Sequence, residues 1–292
     1  MHFGFQWFAT DEGPRPDDVA RLLEQRGFES LFVAEHTHIP TSRISPAPGG
    51  GELPRMYTRT LDPFVALTAA ACATTRLRLG TGICLAAQHH PITLAKTVAS
   101  LVHLAGDRVL FGVGAGWNLE ELADHGIEGP DRFGVLREHV EAMRALWTTD
   151  PAQYQGRHVR FGPSWSWPKP ARAPSVLLGA VGERAVDRVI AFADEWAPPD
   201  FGPDTMIPRL RELRQGAARA GRDPVPVTLF DGPTAAELLD RYAEEGVHRV
   251  VYALPPVPDL DGIDRELDRV ASALAAPGDL PVTHPATTRS SA

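Results

Sequence analysis

The feature that most limits what this chain can fold into is an alternation. Eight short apolar runs of strand length recur, and helix-length stripes follow them. The runs fall at 2–8, 30–35, 77–83, 108–113, 175–179, 194–197, 226–230 and 247–254. The fourth, Arg108 to Val113, is apolar on both faces, as a strand buried on both sides would be. Between the runs lie stripes such as Leu94, Val98, Leu101 and Val102, or Phe133, Leu136, Val140, Met143 and Trp147. Asp17 or Asp18 is expected to cap the first helix, and Asp62-Pro63 the second.

Alternation of this kind favours parallel strands joined by crossover helices. Eight units predict an α/β protein of one domain, a (β/α)8 TIM barrel. Such barrels need about 250 residues, so two irregular stretches, 39–60 and 149–174, are expected as insertion loops that absorb the excess. The barrel is expected over 1–276, with 277–292 as a disordered tail.

Barrel sites sit where strands end and loops into helices begin. The residues there include Trp7 and Phe8, then Glu35, His36 and His38, then Gly82, Ile83 and Cys84. Further round come Gly114 to Asn118, Gly179-Ala180-Val181-Gly182, Trp196 and Leu254. This rim is aromatic, rich in glycine and poor in charge, which suits a flat conjugated organic ligand. His36 is the best candidate for proton transfer, because imidazole titrates near physiological pH. Glu35 is a candidate partner that could fix its tautomer, although strand alternation sets neighbours on opposite faces unless the chain turns. The competing reading is a strand-end histidine bonded to a loop carbonyl. Gly179 to Gly182 is either a phosphate cradle at a helix start or a close-packed turn.

His36-Thr37-His38 and His89-His90 raise a metal site. Barrel metallohydrolases carry their His-x-His after the first strand, whereas this pair follows the second, so no metal is expected. Gly112-Val113-Gly114-Ala115-Gly116 lacks the Gly-x-Gly-x-x-Gly spacing of a dinucleotide loop and lies on the fourth strand, not the first. Its glycines are expected to let backbone approach a ligand. Cys84 reads as packing. A net charge of −8 without a basic run argues against nucleic acid. No apolar stretch reaches the roughly 18 residues of a membrane span. With Cys72 and Cys84 its only cysteines and no signal-peptide pattern, the chain reads as cytoplasmic.

With these residues in view the chain resembles the luciferase-like monooxygenase superfamily, in particular its deazaflavin-dependent oxidoreductases. The segments that carry the likeness are 27–36, 77–83, 91–96 and 112–118, each on the matching strand or helix. The resemblance implies a flavin or deazaflavin ring held at the strand ends, with His36 beside it as acid or base. It implies a non-proline cis peptide joining Gly82 and Ile83 under the ring. It also implies cofactor contact from Asn118, a cofactor phosphate near Gly179, Ala180, Val181 and Gly182, and a homodimer. Coenzyme F420 is the expected cofactor, with FMN in a two-component monooxygenase as the alternative and an idle flavin-binding barrel as a third reading. A small organic molecule is the expected substrate. Ala115 stands where a sugar-phosphate-oxidising member has a carboxylic acid, which argues against that substrate. Leu101-Val102 and Ala105 to Arg108 also depart from the family pattern, at the barrel's far end.

Overall fold

The computed structural model describes residues 1–275; the tail expected at 277–292 lies outside them. In chain order the elements are β1 His2–Trp7, α1 Pro16–Gln25, β2 Ser30–Val33, α2 Pro63–Ala73, β3 Arg78–Thr81, α3 Pro91–Ala105, β4 Val109–Val113, α4 Leu119–Asp124 and α5 Arg132–Thr148. There follow β5 Ala152–Gln155, β6 Arg160–Ser164, β7 Ser175–Leu178, α6 Ala185–Phe192, β8 Glu195–Trp196, α7 Pro203–Arg219, β9 Val227–Phe230, α8 Ala236–Glu244, β10 Val247–Ala253 and α9 Leu260–Ala275. Eight strands close a parallel barrel in the order β1-β10-β9-β8-β7-β4-β3-β2. Each of the eight expected runs supplies one barrel strand.

Alternation along each strand sorts its side chains into two layers. On β2, Phe32 points into the barrel, while Leu31 and Val33 pack outward against the helices. The inner cluster is Phe32, Leu110, Leu177, Ala197, Phe230 and Val251, with the Phe32 and Phe230 rings edge to face at 5.3 Å. A fully buried Phe contributes about 1.5–3 kcal/mol, so this plug fixes the barrel's bore and the floor of whatever binds above it.

Local signals account for most helix starts. The Asp62 carboxylate accepts the N–H groups of Phe64 and Val65 at 2.8 and 3.0 Å, and Pro63 opens α2, as the sequence implies. The first helix differs from expectation. Pro16 fixes φ for helix entry, so Arg15 is the N-cap, and Asp17 and Asp18 fall inside the first turn, where both pair with Arg21. Three elements carry no periodic signal. Within 149–174, β5 and β6 form an antiparallel hairpin, and α4 is only six residues long. No described helix is long and apolar enough to cross a membrane.

Candidate active site

The site is built around α4. Asn118 ends the loop leaving β4 and caps this helix, its Oδ1 accepting the N–H of Glu121 at 3.2 Å. The cap turns the Glu121 side chain back toward the exit of β2. There Oε2 lies 2.8 Å from Nδ1 of His36, and Oε1 accepts the N–H of Thr37 at 3.1 Å. Glu121 is wholly buried and the His36 ring nearly so.

Two partners define the same tautomer of His36. An ionised carboxylate only accepts, so Nδ1 carries the hydrogen. On the other side Trp117 Nε1, which only donates, points at Nε2 from 3.3 Å, so Nε2 presents its lone pair. Tyr57 packs its ring 5.3 Å from the imidazole and Trp117 its own at 5.7 Å. The His36 carbonyl does accept a loop hydroxyl, that of Thr60, but the ring itself is held by Glu121 and Trp117.

Glu35 does not partner His36. The chain stays extended past β2, so the two side chains diverge. Glu35 instead accepts the N–H of Leu85 at 2.6 Å and meets His89 Nε2 at 2.8 Å. Burial alone would raise its carboxyl pKa. The His89 bond and charge, the Leu85 N–H and the Cys84 thiol outweigh burial and hold it below the usual range. Burial, then the Glu35 charge, push the Cys84 thiol well up, so it stays a packed thiol. Glu35, Cys84 and His89 bring ligand-type atoms within 4.8 Å of one another. Their bonds to one another and to the Leu85 N–H make them an anchor for the loop after β3.

That anchored loop forms the floor. The Gly82-Ile83 peptide is cis, and Gln6 donates to the Gly82 carbonyl. The glycines around it serve Ile83 more than a ligand. A Cβ at Gly114 would lie 3.0 Å from the Ile83 side chain, and one at Gly179 would lie 2.9 Å away. At Gly112 a Cβ would strike the Thr81 carbonyl oxygen at 2.1 Å. What these glycines demonstrably admit is Ile83, which they seat over the inner cluster.

Polar groups without partners surround this floor. Asn118 Nδ2 is buried and unbonded. In the turn after β7, the Ala180 carbonyl accepts Trp196 Nε1 at 3.0 Å and Gly182 has φ +84°, while the N–H groups of Val181 to Arg184 make no hydrogen bond among the described residues. Across the mouth, Asp231 holds a left-handed φ of +54°. Burial, then Asp200, raise its carboxyl pKa, and burial, then Asp231, raise that of Tyr57.

The loop 39–60 is latched over this end by the other glutamate of α4. Glu120 accepts the N–H groups of Ile44 and Ser45 at 2.6 and 2.9 Å and the Ser45 hydroxyl, and these bonds bring its pKa down to about 2. Arg43 lies 5.8 Å from the centre of the Trp117 ring. A cavity of about 630 Å³ opens at the opposite end of the barrel beside Arg78, Arg144 and Arg172. The chemistry-bearing groups gather at the strand exits instead, where barrel sites lie.

The structure thus brings His36, Gly82, Ile83 and Asn118 together at the exits of β2, β3 and β4, with Gly179 to Gly182 alongside at β7, and it separates Glu35 from His36. Glu121, Trp117 and Tyr57 complete the group. A signal for Glu121 exists in the sequence: Asn118-Leu-Glu-Glu121 has the spacing of a capping box, which places a glutamate one turn into a helix.

A sequence model of luciferase-like monooxygenases matches residues 13–269. An uncharacterised protein of Mycobacterium tuberculosis (strain H37Rv) is 44% identical over 283 residues, covering 94% of this chain and 99% of its own length. An F420-dependent glucose-6-phosphate dehydrogenase of Nocardia farcinica is 30% identical over 236 residues, covering 76% of this chain and 65% of that protein. Among solved structures, an F420-dependent secondary alcohol dehydrogenase bound to an F420–acetone adduct superposes with a TM-score of 0.73. It covers 94% of this chain and 100% of that one at 20% identity, a likeness of fold.

Proposed function

The chain belongs to the luciferase-like monooxygenase family, and we propose that it is a coenzyme F420-dependent oxidoreductase moving a hydride between the deazaflavin and a small organic substrate. The observation that carries this reading is His36 at the exit of β2, with its tautomer fixed from both sides, Glu121 at Nδ1 and the Trp117 N–H at Nε2. The residues fit a flat, phosphorylated cofactor. Ile83 offers an apolar floor, the orphaned Asn118 Nδ2 a buried donor, and the free N–H groups of Val181 to Arg184 an anion cradle before α6. The bound cofactor would supply the hydride chemistry. The protein's part is to orient the ring, exclude water under the loop 39–60, and take or give one proton at His36 Nε2, whereas the stretch 149–174 packs along α3 and α5.

A phosphorylated sugar does not suit this mouth. Both lysines are committed elsewhere, Lys96 to the Trp167 carbonyl and Lys169 to the carbonyls of Leu146 and Thr149. A small substrate without a phosphate is the better match.

The test has two arms. Titration with coenzyme F420 and with FMN, followed by fluorescence, should show tight deazaflavin binding; tight FMN binding alone would replace this reading with a two-component monooxygenase. Replacing His36 by Ala or Asn should depress turnover while leaving cofactor affinity within a factor of about three, since a general acid or base contributes about 10²–10⁴ in rate. Stoichiometric binding without turnover across alcohols, ketones and enones would indicate an idle binding barrel. Sedimentation velocity tests the homodimer that belongs to the same reading.

A further inference from the structure

The pair His89-His90 has no part in the proton site, yet it opens onto a second cavity. Behind the loop after β3, a hollow of about 470 Å³ lies between the start of α3, the end of α4, helix α5 and the β5–β6 hairpin. Five of the chain's 11 histidines line it, His89, His90, His125, His139 and His158, together with Arg160. No carboxylate does.

The neighbouring acids are all engaged. Glu35 is held by His89 and the Leu85 N–H, and Glu138 accepts three backbone N–H groups of the hairpin, from Arg157, His158 and Val159. Asp124 pairs with His38. At the hollow's edge α3 begins without a side-chain cap, so the N–H groups of Ile92 and Thr93 are unclaimed. Gln88 lines the hollow and is 8% exposed, and both polar atoms of its amide lack a partner. His139 is buried at 7% exposure and gives Nδ1 to the Ala86 carbonyl at 3.0 Å; its other nitrogen has no partner.

We propose that this hollow is a second binding site, one for an anionic small molecule that presents a phosphate or carboxylate group to Arg160, Gln88 and the start of α3. The donors fit an oxyanion: the Arg160 guanidinium, whose Nε and Nη2 face the Gln155 amide and whose Nη1 is left over, then an amide, imidazoles and free helix N–H groups, with no carboxylate among the lining residues. A metal fits less well. The imidazole nitrogens do not converge, since the one described group with three ligand atoms within 4.8 Å is Glu35, Cys84 and His89, and Arg160 would repel a cation. The volume is that of a small-molecule pocket, about 300–1,000 Å³, and exceeds what a bare ion fills. The site also touches the proton site's frame: a Cβ at Gly116, in the turn leading to α4, would lie 3.4 Å from Gln88 Nε2. The proposal stands independently of which cofactor the barrel mouth takes.

Isothermal titration of the full chain with citrate and with inorganic phosphate, at pH 6 and pH 8, tests it. Binding of at least one probe below about 10 mM is expected. It should be several-fold tighter at pH 6, because anion binding draws protons onto imidazoles. Arg160→Ala, a change at an exposed position, and Gln88→Leu should each weaken binding at least about tenfold, the lower end for hydrogen bonds to a charged ligand. Melting temperatures near that of the parent would show that the variants fold. Absence of binding by either probe would overturn the proposal. So would Zn²⁺ binding that tightens with pH and excludes the anion, since metal ligation needs deprotonated imidazoles. Binding that persists with F420 or FMN present supports a separate site; displacement by either refutes it, because the anion would then belong to the cofactor.

Discussion

Replacing Glu121 with Gln tests the core of the proton site without changing its volume. In the parent, one buried carboxylate accepts from His36 Nδ1 at 2.8 Å and from the Thr37 N–H at 3.1 Å. An amide offers a single acceptor, so one of the two bonds must fail. If the amide nitrogen faces His36, the ring must shift its hydrogen to Nε2, and that hydrogen then meets the Trp117 N–H, donor against donor. Losing one hydrogen bond to a buried charged group costs about 1.5–3 kcal/mol. At about 2–4 °C per kcal/mol for a domain of this order of size, the melting temperature should fall by about 3–12 °C. In nitrogen-15 spectra of the imidazole, the parent should show a protonated Nδ1 for His36 and the variant a shifted or mixed tautomer. In hydrolase triads a wrong tautomer costs about 10⁴ in turnover; under the proposed function, at least a tenfold loss is expected here. A melting temperature within about 1 °C of the parent, with the Nδ1–H tautomer retained, would refute the argument.

Other perturbations follow from the same geometry. Gly179→Ala forces Ile83 to move, because the new Cβ would start 2.9 Å from it; overpacking of this kind costs about 1–3 kcal/mol, read by thermal melting, and ligand binding should weaken with it. The Glu35–His89 pair should give a bell-shaped contribution to stability. Glu35 is depressed below its ordinary 4.5, so its share is present above that value and fades as pH falls through the folded pKa. His89 is raised above 6.5, because the Glu35 bond and charge overcome the lowering by burial. Its share is therefore present below 6.5 and fades as pH rises through the folded value. The melting-temperature gap between parent and Glu35→Gln should accordingly be widest between 4.5 and 6.5; a gap that keeps growing toward pH 9 would contradict it. Glu120→Gln should free the loop it holds, and limited proteolysis near Arg43 should quicken while the barrel's melting temperature stays within about 1–2 °C.

The barrel was legible because each of its eight strands is a short apolar run and its long helices carry a stripe. The hairpin and α4 were not. A six-residue helix completes fewer than two turns, too few for periodicity to register, and β5, with the sequence Ala-Gln-Tyr-Gln, exposes too much to show an apolar run. The site divided along the same line. His36, Ile83 and Asn118 stand at strand exits and could be found by counting strands. Glu121 could not be found that way, because it reaches His36 from 85 residues away across a loop, and the nearer acid, Glu35, was the natural guess. Strand geometry sends adjacent side chains apart, so the nearest acid in sequence was the one least able to help. The glycines were legible as close approach, but what approaches them is Ile83, and only the packing of three strand exits reveals that.

Glu120 and Glu121 are neighbours on one short helix, yet each holds a different part of the chain: Glu120 the loop at Ile44 and Ser45, Glu121 the imidazole at His36. The two tasks are therefore modular. A loop of different length or sequence could be grafted between 39 and 54, provided that two backbone N–H groups and a hydroxyl still meet Glu120 and that Tyr57 and Thr60 keep their contacts with His36. The Glu121–His36 contact one position away would keep its geometry. Under the proposed function, that arrangement would let substrate range drift by loop exchange while the proton chemistry stays constant, and it would make this loop the natural segment to randomise when redirecting the chain toward a new substrate.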